Sequence, residues 1–310
     1  MSTAPSRART LAAAVAALAL ACTRPPAPAP TASAERIVVM APGAAEMLVA
    51  LGQGDAIVAV GDFVLWPPAL LSRPRVGAYD RPNEERLLEL ATTLYVTTRS
   101  QAGAATHTRL RSLGIDVLEL DTSTMPGVLA SFHTLGARLD RAARAADLVA
   151  AIERRLASVA ARAAGLPRRR VLCVVGRDPL YVAGAGSHLD ELIRIAGASN
   201  VAHDTRAPYQ LLSLEAALAR RPEVILDTSD NRPGALRGRA AGDWGTWPFL
   251  PAVAADRVYW LDPTQLAIPG PRLPEMAELV ARLVHPERFG EPRPADFTPL
   301  RAPRQASDGT

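Results

Sequence analysis

Five histidines, His107, His133, His188, His203 and His285, are the residues most suited to metal chemistry in this chain. A bare-ion site needs about three His, Asp or Glu ligands converging on one point. The five are scattered without metal-ligand spacing, which disfavours such a site. His133 lies in a helical pattern and His285 stands beside Pro286, so both read as structural. His188 and His203 fall in loops of the second half, where a haem or iron role is the chemistry open to them. Covalent catalysis is served no better. No Gly-x-Ser-x-Gly elbow occurs, and Gly184-Ala-Gly-Ser187 lacks the required order. Nor is that stretch a phosphate loop, since no Gly-Lys-Ser/Thr follows it. It reads instead as a turn between strand-like Leu180–Ala183 and a helix beginning near Leu189. Asp178-Pro179 is a second turn. These residues predict a protein that is not an enzyme and carries no resident cofactor, a lipid-anchored hydrolase being the enzymatic alternative.

The two cysteines differ in kind. Arg7 and Arg9 precede an apolar run from Leu11 to Ala21, and Cys22 follows it directly. A basic start, a short apolar core and small residues at its end describe an export signal over residues 1–21. The run is far short of the ~20 residues needed to cross a bilayer. Leu18-Ala-Leu-Ala-Cys22 resembles the lipobox of bacterial lipoproteins, although the place three before the cysteine, usually leucine, holds Ala19. That resemblance implies acylation of Cys22 and a membrane anchor at the periplasm or cell surface. Residues 22–34, rich in proline and alanine, then form a semi-rigid tether. Cys173, inside the apolar strand Val171-Leu-Cys-Val-Val175, reads as a small core residue.

With 48% hydrophobic residues there is ample material for a packed core. Every basic residue is arginine, which together with abundant alanine reflects composition rather than function. The formal net charge of +4, smaller still without Arg7 and Arg9, is too weak to argue for a nucleic-acid partner.

After the tether, short apolar runs alternate with helical patterns, the mark of α/β architecture. Strands are predicted at Ile37–Met40, Ile57–Val60, Leu94–Thr97 and Val117–Leu120, with helices at Ala44–Leu51, Glu84–Leu90 and Thr106–Leu113 between them. From Arg141 to Ala164 there is no proline or glycine. Val149, Ile152, Leu156 and Val159 are spaced to share one helical face. The pattern resumes with strand Val171–Val175, helices Leu189–Ala196 and Leu214–Ala219, strands Val224–Leu226 and Val258–Leu261, and helix Leu273–Leu283. The expected organisation is two α/β lobes, 35–140 and 167–289, joined by one long rigid α-helix at 141–166. A disordered tail is expected over 290–310.

Several blocks then match one family in order. They are Arg36-Ile-Val-Val-Met-Ala-Pro-Gly43 through Gly52, Val60-Gly-Asp-Phe-Val-Leu-Trp-Pro-Pro68, Val76-Gly-Ala-Tyr-Asp-Arg-Pro-Asn-Glu-Glu-Arg86, Leu180 through Leu192, Ser213-Leu-Glu-Ala216 and Pro269-Gly-Pro-Arg272. The chain from Arg36 to His285 resembles the cobalamin and ferric-siderophore binding proteins of ABC importers, the class III periplasmic binding proteins. That resemblance implies a ligand cleft between the lobes and a monomeric receptor. The transported ligand would be a corrinoid or ferric chelate, with a haem or metal-ion receptor of the same superfamily as the alternative. The partners would be a two-fold ABC permease and its cytoplasmic ATPase.

Residue by residue, Glu85 and Glu215 match the family's docking carboxylates, one on each lobe, which pair with permease arginines. Phe63, Trp66, Tyr79 and Tyr209 fall in loops that face ligand in the family, and Arg99 and Gln265 complete the cleft candidates. Each aromatic could equally serve core packing. Arg272 could meet an anionic ligand or cap a helix start. A Cys22→Ser variant should leave the membrane fraction and appear in the soluble one; persistence with membranes would show that acylation is not the anchor.

Overall fold

The computed structural model describes residues 35–79, 81–99, 103–230 and 236–298. The predicted signal, tether and Cys22 lie outside the described residues. Among the described residues no helix is long and apolar enough to cross a membrane.

The N-terminal lobe is built on β1 (Ile37–Val39), α1 (Pro42–Ala50), β2 (Ile57–Val60), α2 (Glu84–Glu89), β3 (Leu94–Thr98), α3 (Ala104–Ser112), β4 (Asp116–Leu120) and α4 (Met125–Arg138). The four strands form a parallel sheet in the order β2-β1-β3-β4. Strands β1, β2 and β3 are largely buried on both faces because helices cover each side, which is why they read as near-continuous apolar runs, whereas edge strand β4 is only partly buried.

The connector is α5 (Ala142–Ala163). The face predicted from spacing is the buried one: Val149, Ile152, Leu156 and Val159, extended by Ala145 and Ala163. The helix stops where Gly165 takes a positive φ of 78°.

The second lobe comprises β5 (Arg170–Gly176), β6 (Tyr181–Ala183), α6 (His188–Ile195), β7 (Ser199–Asn200), β8 (Tyr209–Leu211), α7 (Leu214–Ala219), β9 (Val224–Asp227), β10 (Gly238–Arg239), α8 (Pro251–Ala254), β11 (Val258–Trp260), α9 (Pro263–Leu266) and α10 (Leu273–Val284). Strands β7, β5, β9 and β11 run parallel, and β6, β8 and β10 add antiparallel edges. The Gly184–Ser187 stretch is a turn as expected. Gly184 packs so closely that a Cβ there would lie 2.0 Å from Thr205 Oγ1. Ser187 caps α6, its hydroxyl accepting from the Asp190 amide at 3.0 Å. Cys173 is wholly buried in β5, where burial pushes its thiol up to about 12 and leaves it inert.

The tail expectation is corrected over residues 290–298. Asp296 is buried and accepts ion pairs from Arg282 at 2.8 Å and Arg293 at 2.9 Å, and Phe297 stacks on Tyr259. The proline-rich composition suggested a segment unable to bury anything, yet one carboxylate and one ring anchor it to the second lobe. Residues 299–310 lie outside the described residues.

The lobes are not separately cored. One apolar cluster runs from Ile37 and Leu48 of the first lobe through the α5 face to Leu192 and Val280 of the second. Smaller clusters lie on the outer faces, around Tyr95 in the first lobe and around Trp244 in the second. A second strap crosses the lobes besides α5. Arg272 holds Glu46 of α1 through Nε and Nη2, both at 2.7 Å, and donates Nη1 to the Thr264 carbonyl at 2.9 Å. Arg272 does stand at the N-cap position before Leu273, but its side chain makes no cap bond and is spent on Glu46 instead. Beside this pair, Gly43 meets the Pro269 carbonyl so closely that a Cβ would lie 2.0 Å from its oxygen.

Glu46 is only 4% exposed, so losing one member strands a buried charge. Arg272→Met should lower stability by about 3–5 kcal/mol. Adding Glu46→Leu should recover much of that loss, and urea unfolding of the single and double variants measures both effects.

Candidate functional site

The loops that leave the carboxyl ends of β1, β3 and β4 gather on one edge of the first sheet, the edge where open α/β sheets bind ligands. They meet the Ala267–Pro269 segment of the second lobe across a crevice. One recess of about 340 Å³ is lined by Met40–Ala44, Phe63, Tyr79 and Thr97 from the first lobe and by Ala267–Pro269 from the second. A neighbouring recess of about 320 Å³ shares Thr98, Thr122, Ala267 and Pro269 with it and adds Arg99, Asp121, Ser123, His188 and Tyr209. The crevice is thus apolar at one end and polar at the other.

Phe63 and Tyr79 are 55% and 48% exposed, unusual for rings of this size beside a cavity. Gly77, with φ of 92°, opens the short hairpin that presents Tyr79; a Cβ at Gly77 would strike the Arg81 carbonyl at 2.7 Å. At the polar end, Arg99 Nη1 lies 4.0 Å from Asp121 Oδ2, both well exposed. Asp121 is held below the ordinary carboxylate range, first by the Ser123 hydroxyl and amide that donate to it. The crevice floor is pinned by a backbone bond across the lobes, the His188 amide donating to the Ser123 carbonyl at 3.1 Å.

Tyr209 Oη and His188 Nδ1 are hydrogen-bonded at 2.8 Å. Burial pushes the Tyr209 phenol above its ordinary value and pulls the His188 imidazole down to about 4. Both groups are therefore neutral near pH 7. Together they form a fixed polar wall in the recess next to the one that holds the exposed rings.

Of the sequence-predicted cleft residues, Phe63 and Tyr79 come together at the apolar end, and Arg99 and Tyr209 at the polar end. Two do not join them. Trp66 is half-buried and lines neither recess. Gln265 turns the other way: its amide donates to the carbonyls of Ala295 and Thr298 in the C-terminal segment. It sits on the single turn of α9, so the chain enters the crevice only after it, at Ala267. The threonines at the strand ends, Thr97, Thr98 and Thr122, escaped sequence reasoning; their place after predicted parallel strands was the available signal. Among the described residues, no group of three or more His, Cys, Asp or Glu could hold a metal ion.

Glu85 and Glu215 occupy corresponding places. Each is the second residue of a short helix, exposed, and follows a capping residue by two. Asn83 Oδ1 accepts from the Arg86 amide at 2.9 Å, and Ser213 Oγ from the Ala216 amide at 3.1 Å. Adjacent Glu84 is distinguished by its ion pair with Arg109.

With two lobes, a single connecting helix and a crevice between them described, the comparisons with known proteins decide the family. The periplasmic binding protein family matches residues 37–264. The chain belongs to this family. The vitamin B12-binding protein of Vibrio cholerae serotype O1 is 27% identical over 248 residues, covering 80% of this chain and 88% of its own. A substrate-binding lipoprotein of an uncharacterized ABC transporter in Bacillus subtilis, YvrC, is 27% identical over 264 residues, covering 83% of this chain and 82% of its own. The solved periplasmic haem-binding protein BhuT, in complex with two haems, superposes with a TM-score of 0.71 at 27% identity, covering 82% of this chain and 99% of that one. This periplasmic binding protein is therefore a substrate-binding protein of the ABC-importer class, with the two-lobed fold that its resemblance implied.

The His188 environment yields a pH dependence. The unfolded chain takes up its proton near 6.5, the native state only near 4. The contribution is complete above about 6.5 and is lost as pH falls toward 4, a loss of at most about 3 kcal/mol. His188→Gln should therefore lose less stability than the wild type between pH 7 and pH 4.5, read by urea unfolding at each pH.

Proposed function

We propose that this protein is a lipid-anchored extracytoplasmic receptor that captures a cobalamin-like corrinoid or an iron–siderophore complex and delivers it to an ABC permease. The carrying observation is the crevice itself, with two half-exposed rings, Phe63 and Tyr79, in one recess and a neutral Tyr209–His188 wall in the adjoining one. Flat rings offer dispersion and stacking area to a bulky macrocycle or chelate at little conformational cost. The strand-end threonines and Arg99 add hydrogen-bond donors for amide or carboxylate groups at its rim. The vitamin B12-binding relative from Vibrio cholerae supports the corrinoid reading.

Haem is the second reading. It is favoured by the phenol and imidazole together at the polar end, both of them iron-ligand types, and by the similarity to a haem-binding structure. Cys22 would carry the lipid, an assignment supported by the lipoprotein name of the Bacillus subtilis relative.

Docking is assigned to Glu85 and Glu215. Two separated carboxylates at matched, capped helix starts fix orientation and speed encounter more than they add affinity. Each exposed pair would contribute only about 0–1 kcal/mol.

Titration with cyanocobalamin, ferrichrome and haemin, read by visible absorption, should show saturable binding of one. Phe63→Ala and Tyr79→Ala should each weaken that ligand about tenfold. No saturable binding of any of the three would overturn the ligand assignment. Charge reversal of Glu85 and Glu215 together should abolish delivery while ligand affinity stays unchanged. Transport at the wild-type rate by that double variant would remove the docking role.

A further inference from the structure

The second lobe has its own ligand-sized cavity, larger than either recess of the crevice and sharing no lining residue with them. It measures about 930 Å³. Its position follows from the winding of the sheet. After β5 the chain passes to α6 on the inner face and to β7 on one side of β5. It then returns through α7, on the outer face, to β9 on the other side. The winding therefore reverses between β5 and β9. Open α/β sheets bind ligands outside the carboxyl ends of the two strands at such a reversal. The loops that leave β5 at Arg177 and β9 at Ser229 both line the cavity.

The chemistry of the walls is specific. Three of the chain's four tryptophans, Trp244, Trp247 and Trp260, line this one space. Asp178 and Asp243 line it too, and among the described lining residues Arg177 is the one cation. That cation is already neutralised: it pairs with Asp243 at 2.7 Å and with buried Asp227 at 3.3 Å. Asp227 in turn accepts from the Trp244 indole at 2.9 Å, which fixes the wall. Among the described groups in and behind the walls, Asp178, Asp227 and Asp243 outweigh Arg177, which leaves excess negative charge beside low-dielectric indoles, a setting that concentrates cations.

Arg177 shows what the walls accept. Its guanidinium carbon lies 5.0 Å from the ring centroids of both Trp244 and Trp260, with carboxylates on either side. The remaining surface repeats these ingredients: Trp247, half-buried, with exposed Asp178 and Asp243 at the rim.

The geometry points to a second binding site, for a small organic cation that joins an amidinium, guanidinium or ammonium group to an apolar body. It would operate independently of the crevice and of whatever the crevice holds. The test uses a Trp66→Phe background, in which every remaining tryptophan lines the cavity and indole fluorescence reports on it alone. Benzamidinium is the probe. Benzamide has the same shape without the charge, and benzoate inverts the charge. Saturable quenching by benzamidinium, with benzamide and benzoate at least tenfold weaker, is the expected result. Trp247→Ala and, separately, Asp178→Asn should each weaken benzamidinium about threefold to tenfold, with circular dichroism showing both variants folded. Equal binding of benzamide and benzamidinium overturns the proposal, as does the absence of saturable quenching by any probe. Folded Trp247→Ala and Asp178→Asn variants that both bind as tightly as their parent overturn it equally.

Discussion

The buried pair between Glu46 and Arg272 is the constraint on which the crevice depends. Its two parallel hydrogen bonds tie the first helix of one lobe to the entry of α10 in the other. Burial pushes the Glu46 carboxyl above its ordinary range even against the pull of the guanidinium. Such a pair adds little net stability over an apolar substitute, but it tolerates only one geometry, because either charge alone would be stranded. Next to it the Gly43–Pro269 contact leaves no room for a side chain. Together they set where the Ala267–Pro269 segment stands, and that segment forms the far wall of both recesses.

This arrangement also limits motion. A wide hinge would have to separate α1 from the α10 entry, break the His188–Ser123 backbone bond and split an apolar core common to both lobes. Receptors joined by flexible strands face no comparable obstacle. The ring-lined end of the crevice is already open, with Phe63 and Tyr79 exposed, so the rings are reachable without such a motion. Rigidity and access are reconciled by leaving the aromatic contacts on loops and keeping the lobes locked beneath them.

Much of this was legible in the chain. Val149, Ile152, Leu156 and Val159 predicted the buried face of the connector because helical periodicity is a local property, and α5 differs from the expected span only at its ends. The buried strands were equally readable as short apolar runs between turn signals. Trp66 and Gln265 show where reading fails. Trp66 lies in a loop and Gln265 on the single turn of α9, and in such short segments the way a side chain turns depends on what it meets across space. For Gln265 that was two carbonyls of a proline-rich segment that composition alone marked as unable to fold.

The sequence by itself determined the α/β alternation, the single long helix and the capped glutamates, since periodicity and capping act within a few residues of one another. Only the tertiary structure decided that the lobes share one core and that Arg272 serves as a strap between them. It alone brought Trp244, Trp247 and Trp260 together with distant Arg177 and Asp178 around one cavity. Those outcomes rest on contacts between residues tens to hundreds of positions apart, and no local pattern records which distant partner a side chain will find.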